Sequence, residues 1–314
     1  MSGQDTFQIQ LQGPVIYYEG QTIHGQVFLS NRELLSNVKK IQIELHGLGN
    51  VHWTEQKAKT RKSSDGQRYE HYSEIVHYKN HEDYISDKLL LHQGPLEAGK
   101  HNFSFSFVLP SNLPSSFEGQ YGHVRYYIKA KLCGSGFCSL KKTLQSITIV
   151  SICDLNSIPG AEKSKTNSNT KTFGVLSLQS EPLSTTLTIP RYGYTSGENI
   201  PISALIENQS NIKMNQTRAL LYQNVTYRAT NGTKDTQKLI REIRKNEQIG
   251  AHSFCSWEGE LMLIPVIPPS GLGGCQMIDI SYRLEFVVVP SGFGNNLSIS
   301  VPILIGNIPL KKKY

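Results

Sequence analysis

Three cations in the run "FEGQYGHVRYYIKAKL", Phe117 to Leu132, stand where strand alternation would place them on one side. After the turn-forming Gly119 and Gly122, Val124, Tyr126 and Ile128 alternate with Arg125, Tyr127 and Lys129, and Lys131 continues the second set. A period of two gives one packed face and one wet face. Guanidinium and ammonium groups along a wet face can take carboxylates or phosphates through charge-assisted hydrogen bonds. Charge on an exposed strand is also what any soluble sheet carries. Arg125, Lys129 and Lys131 are therefore candidates for a binding floor, set against an ordinary solvated face.

Other reactive groups are weaker. The thiols of "CGSGFC", Cys133 to Cys138, sit between two strand patterns and read as a hairpin loop; no second Cys/His pair stands at zinc spacing. His77 and His81 in "HYKNHEDY" are four apart, a helix spacing in a segment that reads as loop or strand, so metal ligation is not expected. "SGLGG" at Ser270–Gly274 lacks the Lys-Ser/Thr and the helix of a phosphate loop. There is no Gly-x-Ser-x-Gly elbow, dinucleotide fingerprint or zincin helix, and the carboxylates are scattered. The expectation is a protein with no catalytic centre, no cofactor and no metal.

What must position these residues follows from the whole chain. Its 314 residues suffice for two domains with their own cores. The longest apolar run, "LMLIPVIPP", is broken by Pro265 and Pro268 and falls short of a membrane span. "MSGQDTFQIQ" lacks the regions of a signal peptide, and five irregularly spaced cysteines suit a reducing compartment. A cytoplasmic protein is expected, in which the Asn-x-Thr triplets at Asn215, Asn224 and Asn231 are chance matches. The formal charge of +7 is spread along the chain apart from Lys311–Lys313, and no RNA-recognition signature accompanies it, which argues against nucleic acid.

Period-two alternation dominates. Phe7, Ile9 and Leu11 alternate with glutamines; Ile41, Ile43 and Leu45 alternate with Gln42 and Glu44; Phe103, Phe105 and Phe107 alternate with serines. Gly and Pro punctuate these runs as antiparallel sandwiches require. Only Asp235 to Gln248 has a competing helical stripe, in Leu239, Ile240 and Ile243, and it stays open between helix and strand.

An internal repeat sets the organisation. "YYEGQTIHGQVFLSN", Tyr17 to Asn31, aligns without gaps on "YTSGENIPISALIEN", Tyr194 to Asn208, sharing Tyr-x-x-Gly-x-x-Ile and a closing Asn. "EAGKHNFSFSFVLP" has a counterpart in "QIGAHSFCSWEGELMLIP", and "VRYYIKAKL" in "ISYRLEFVV". Between the halves lies the polar "NSIPGAEKSKTNSNTKT", with little to bury. The expected fold is all-β, two tandem immunoglobulin-like sandwiches: 1–155, a polar linker at 156–172, 173–309, and a basic tail at 310–314.

"LPSSFEGQYGHVRYYIKAKL", "ELHGLGNVHWTE" and "LEAGKHNFSFSFVLP" resemble blocks of the arrestin amino domain as found in the α-arrestins. "YTSGENIPISALIEN", "ISYRLEFVVVP" and "SISVPILIGNIP" resemble the arrestin carboxyl domain. The resemblance implies a non-catalytic adaptor that engages cytosolic segments of membrane receptors or transporters and recruits HECT-type ubiquitin ligases for endocytosis or endosomal sorting. Recruitment to the plasma membrane or endosomes would follow, as peripheral association at most. Arg125, Lys129 and Lys131 then become a candidate cargo-binding face. The family usually reaches its ligase through Pro-Pro-x-Tyr, whereas here the one Pro-Pro pair, Pro268-Pro269, is followed by Ser-Gly. Any ligase contact is expected to be indirect.

Cys255, in "HSFCSWEGEL", resembles in position the cysteine through which one α-arrestin forms a mixed disulfide with thioredoxin. This supplies the alternative function, a redox-linked regulator capturing thioredoxin. Reactivity would need a stabilised thiolate, yet no basic residue adjoins Cys255 and Glu258 is near, so a plain strand cysteine is the competing reading. The lysines of the tail, at roughly 1 kcal/mol each on an anionic leaflet, would give transient membrane contact.

Overall fold

The computed structural model describes residues 6–62, 69–134, 139–173, 181–292 and 294–311. They fall into two compact units. The first gathers Met1–Ser151, Tyr227–Lys234 and Leu272–Ile278; the second gathers Ile152–Thr226, Asp235–Gly271 and Asp279–Tyr314.

In the first unit, β1 (Thr6–Leu11), β3 (Thr22–Asn31) and β6 (Gly99–Val108) form a three-stranded antiparallel sheet in the order β1-β3-β6. The larger sheet runs β2 (Ile16–Tyr18), β9 (Ser139–Val150), β8 (Gly122–Gly134), β4 (Val38–Lys62), β5 (Tyr69–Gln93), and the short β7 (Phe117–Glu118) pairs with β8. Alternation decides what is buried: Ile23, Val27 and Leu29 of β3, Ile41, Ile43 and Leu45 of β4, and Val124, Tyr126 and Ile128 of β8 are core residues. Two later segments complete the unit. The Tyr227 hydroxyl accepts from the Gln120 amide at 3.0 Å, and the Lys234 ammonium sits 3.1 Å from Glu55.

The second unit repeats the plan. β11 (Leu183–Ile189), β13 (Asn199–Asn208) and β16 (Ser253–Leu263) form the smaller sheet, with β10 (Lys165–Lys171) added beside β11. The larger sheet runs β12 (Gly193–Thr195), β18 (Leu297–Gly306), β17 (Ile278–Pro290), β14 (Met214–Ala229), β15 (Gly232–Lys245). In each half a three-residue strand pairs in parallel with the last strand, β2 with β9 and β12 with β18. The segment open between helix and strand is β15, the edge strand hydrogen-bonded to β14. Trp257 is the central side chain of this core: it is 1% exposed, donates from Nε1 to the Thr217 hydroxyl at 2.9 Å, and meets Phe286 edge-on at 5.1 Å.

The shared residues of the repeat have physical roles. Gly20 and Gly197 have φ of 79° and 88°, which a Cβ would strain. Asn31 donates from Nδ2 to the carbonyls of Glu33 and Glu97, and Asn208 to those of Ile212 and Gly250, so each buried amide ties the loop after one strand to the loop before its partner. Tyr126 and Tyr282 each give their hydroxyl to a proline carbonyl, Pro114 at 2.6 Å and Pro268 at 2.7 Å.

The segment 156–172, expected as a polar linker, is built into the second unit instead. Asp154 caps a 3-10 turn at Leu155–Ser157, and β10 follows. Asn167 and Asn169 donate to the carbonyls of Ser300 and Ser298, both at 2.9 Å, and Lys171 reaches the Asn295 carbonyl. Where β12 ends, polar side chains thus satisfy carbonyls of β18 that would otherwise face water.

Candidate functional site

Strand alternation puts Arg125, Tyr127, Lys129 and Lys131 on the outer face of β8, opposite its buried row. Register with the flanking strands extends two rows across the sheet. One reads Lys88, Glu44, Lys129, Leu144 from β5 to β9; the next reads Leu90, Gln42, Lys131, Lys142. Within these two rows four lysines share the face with a single carboxylate, and Leu90 and Leu144 project from it, more than half exposed.

That carboxylate organises the face. Glu44 is only 7% exposed. The Lys131 ammonium lies 2.8 and 2.7 Å from its two oxygens, His46 Nε2 3.1 Å, and Lys88 3.8 Å, while the Gln42 amide donates to it at 2.8 Å. Burial alone would raise the Glu44 carboxyl, but hydrogen bonds and charge from Lys131 and His46 hold it below the usual carboxylate range. Alternation had placed Gln42 and Glu44 on a wet face. They do point outward, yet the lysine stems lying over them take them out of water.

The three sequence candidates are not equivalent. Arg125 is held in a two-pronged pair by Glu118 of β7, Nε to Oε1 at 2.6 Å and Nη2 to Oε2 at 2.8 Å. The guanidinium holds the Glu118 carboxyl below its ordinary range. Lys131 is committed to Glu44. Lys129 has no hydrogen-bond or ion-pair partner among the described residues, and neither has Lys142. Beside Arg125 an open groove of about 540 Å³ is floored by Leu48, Tyr127 and Leu144 and bounded by Phe117 and Ser146. The arrangement can hold an acidic chain segment: two free ammonium groups for its charge, and an apolar trough for a neighbouring side chain.

Sequence reasoning named β8 but missed Glu44, Lys88, Lys142 and Glu118. Their signal lies in cross-strand register, which single-strand alternation does not reveal. The internal repeat does separate fold from face. Where β8 has Arg125, Lys129 and Lys131, the aligned strand β17 has Ser281, Glu285 and Val287, although Tyr126 and Tyr282 do the same work. The fold does not require the cations.

Cys255 lies on β16 opposite Ile206, on the side of Trp257, at the end of the strand. Burial pushes its thiol up and Glu247 adds to this, while Lys245 pulls the other way. Glu258, named from the sequence as the disfavouring neighbour, is on the exposed side instead. At neutral pH the thiolate fraction is thus below that of an ordinary cysteine. The expected result for alkylation by iodoacetamide, followed at Cys255 by peptide mass spectrometry, is slow labelling at pH 7 that accelerates only above about pH 9. Rapid labelling at pH 7 would contradict this.

His77 and His81 lie on β5. His77 faces His52 across the hairpin at 3.5 Å, whereas His81 is bound to Asn50 and Asp83. Among the described residues no three His, Cys, Asp or Glu side chains converge as a metal site. Cys138, with most of its loop, and Lys312 and Lys313 of the tail are outside the described residues; Lys311 donates its amide to Asn156. No helix among the described residues is long and apolar enough to cross a membrane.

Comparison with known proteins agrees with the two-unit plan. Residues 7–156 match the family described as "Arrestin (or S-antigen), N-terminal domain", and residues 179–310 its C-terminal domain. The chain is 32% identical to arrestin domain-containing protein 17 of Caenorhabditis elegans, over 97% of this chain and 71% of the relative. It is 30% identical to arrestin domain-containing protein 1 of Mus musculus, over 98% and 65%, and 31% identical to arrestin domain-containing protein 4 of Homo sapiens, over 93% and 68%. The chain thus spans about two thirds of the length of these relatives.

Proposed function

Because this chain belongs to the arrestin family, as one of its arrestin-domain-containing proteins, we propose that it is a non-catalytic adaptor for membrane-protein cargo. It binds acidic cytosolic segments of receptors or transporters on the outer face of β8 and passes them to endocytic, endosomal-sorting and ubiquitination machinery. It works from the cytoplasm, at the plasma membrane or endosomes, and a HECT-type ligase joins it there. The observation that carries the reading is the lysine face around Glu44, unmatched at the aligned positions of the second unit.

Lys129→Glu combined with Lys142→Glu removes the two free ammonium groups and disturbs no observed ion pair. The double variant should lower binding of a carboxylate-rich peptide by roughly tenfold or more, since each exposed pair contributes up to about 1 kcal/mol. In cells, proximity labelling should recover a receptor or transporter with the wild type and lose it with the variant. Equal recovery by both would remove this face from the proposal, and absence of any membrane protein with the wild type would remove the adaptor role.

A further inference from the structure

The larger sheet of the second unit ends on β15, whose far backbone edge pairs with no other strand among the described residues. An unpaired strand edge presents a row of N–H and C=O groups that a further strand can use. Along this edge the sequence "GTKDTQKLIREIRK" exposes Lys238, Arg241 and Arg244, with Leu239 44% exposed between them. Lys234 and Lys245 at its ends are occupied by Glu55 and Glu260, and Arg244 is forked on Glu242. Lys238 and Arg241 have no carboxylate partner among the described residues.

Cations on an edge strand commonly serve to block self-pairing. That explanation would predict the same guard on β16, the edge of the smaller sheet in the same unit. β16 carries no Lys or Arg; its edge is broken instead by Glu258, Glu260 and an irregularity in its register with β13, and it exposes Phe254 at 80% and Leu261 at 62%. The positive sign of the charge on β15 is therefore particular to that strand, and it fits an anionic ligand. Its spacing also suits a strand as ligand. Lys238 and Arg241, three residues apart, point to opposite faces by strand alternation and are separated by about 10 Å along the edge. They can grip an added strand from above and below, one with an ammonium and the other with a guanidinium whose geometry matches carboxylates. A flat anionic surface would meet only one of these faces.

We propose that the outer edge of β15 is a strand-addition site for an extended, carboxylate-rich peptide segment, which pairs its backbone with β15 and its side chains with Lys238 and Arg241. This site is separate from the β8 face and does not depend on the adaptor reading.

The test uses the full chain and a fluorescein-labelled peptide of about twelve residues alternating Glu and Val, read by anisotropy. Its partner probe has the same sequence with alternate amides N-methylated, which keeps the charge and blocks pairing. The expected result is binding of the first probe, a loss of at least about tenfold for the N-methylated probe, and a similar loss for Lys238→Glu with Arg241→Glu. Lys129→Glu with Lys142→Glu should leave the pairing-dependent part unchanged. Equal binding of both probes would reduce the effect to plain charge attraction and overturn the proposal. A loss seen only with the β8 variant would do the same while leaving the adaptor reading intact. If neither probe binds and the β15 variant instead dissociates a dimer in sedimentation, the edge serves a second copy of this chain, and the proposal again falls.

Discussion

Replacing Glu44 by alanine should destabilise the first unit by about 3 kcal/mol, because it leaves the half-buried Lys131 ammonium without its counter-charge beside Lys88. Glu44→Gln keeps the shape and some hydrogen bonds, so its cost should be smaller. The two tryptophans make this measurable: Trp53 reports the first unit and Trp257 the second. In a Trp257→Phe background, urea unfolding followed by fluorescence reads the first unit alone. The pH dependence has a definite sign. The folded carboxyl of Glu44 is lowered, so its contribution is complete above the ordinary carboxylate range and is lost as pH falls through the lower folded value. The gap between wild type and Glu44→Gln should therefore close below about pH 4. The same substitution removes the carboxylate at the centre of the lysine rows, so acidic peptides should bind more tightly even as the fold weakens. An unchanged urea midpoint with unchanged peptide affinity would show that Glu44 organises neither.

Trp257→Ala should cost the second unit about 3–5 kcal/mol, the range for truncating a buried aromatic side chain. Three things go at once: the packing volume, the edge-on contact with Phe286, and the hydrogen bond to the buried Thr217 hydroxyl. Lys245, whose ammonium lies 4.8 Å over the indole ring, also loses its platform. Trp257→Phe retains the ring contact and should cost clearly less. Peptide-resolved hydrogen exchange is the appropriate readout: protection should fall across β13, β14 and β17 and hold in β3, β4 and β8. Loss of protection in both units would mean that they unfold together.

The strands, the two-unit plan and the duplicated turns were legible because they rest on apolar periodicity and on glycine geometry, both written locally. Gly20 and Gly197 adopt the positive φ that their spacing implied. What escaped was stabilisation by polar groups. The stretch Asn156–Thr172 has few apolar residues and read as connection, yet Asn167 and Asn169 earn their place by capping carbonyls 129 to 133 residues away in sequence. Glu44 read as solvated for the same reason: alternation says which way a side chain points, and Lys131 and Lys88, coming from other strands, decide whether water reaches it. For the site, Arg125, Lys129 and Lys131 were visible as one row, whereas the pairing that leaves Lys129 free and occupies the other two depends on β4 and β7.

The parallel pairing of β2 with β9, and the inclusion of Tyr227–Lys234 and Leu272–Ile278 in the first unit, bear on how the molecule is made. On the ribosome, Tyr17 emerges long before Ile149, the residue it must lie beside, and Tyr227 later still. The larger sheet of the first unit therefore waits for β9, and two further segments join that unit only as the second half emerges. Such non-local closure slows folding and prolongs the exposure of unpaired strands. A nascent chain of this design would depend on chaperone cover until Ile278 has emerged, and a stop codon before Tyr227 would leave the first unit without its last two segments.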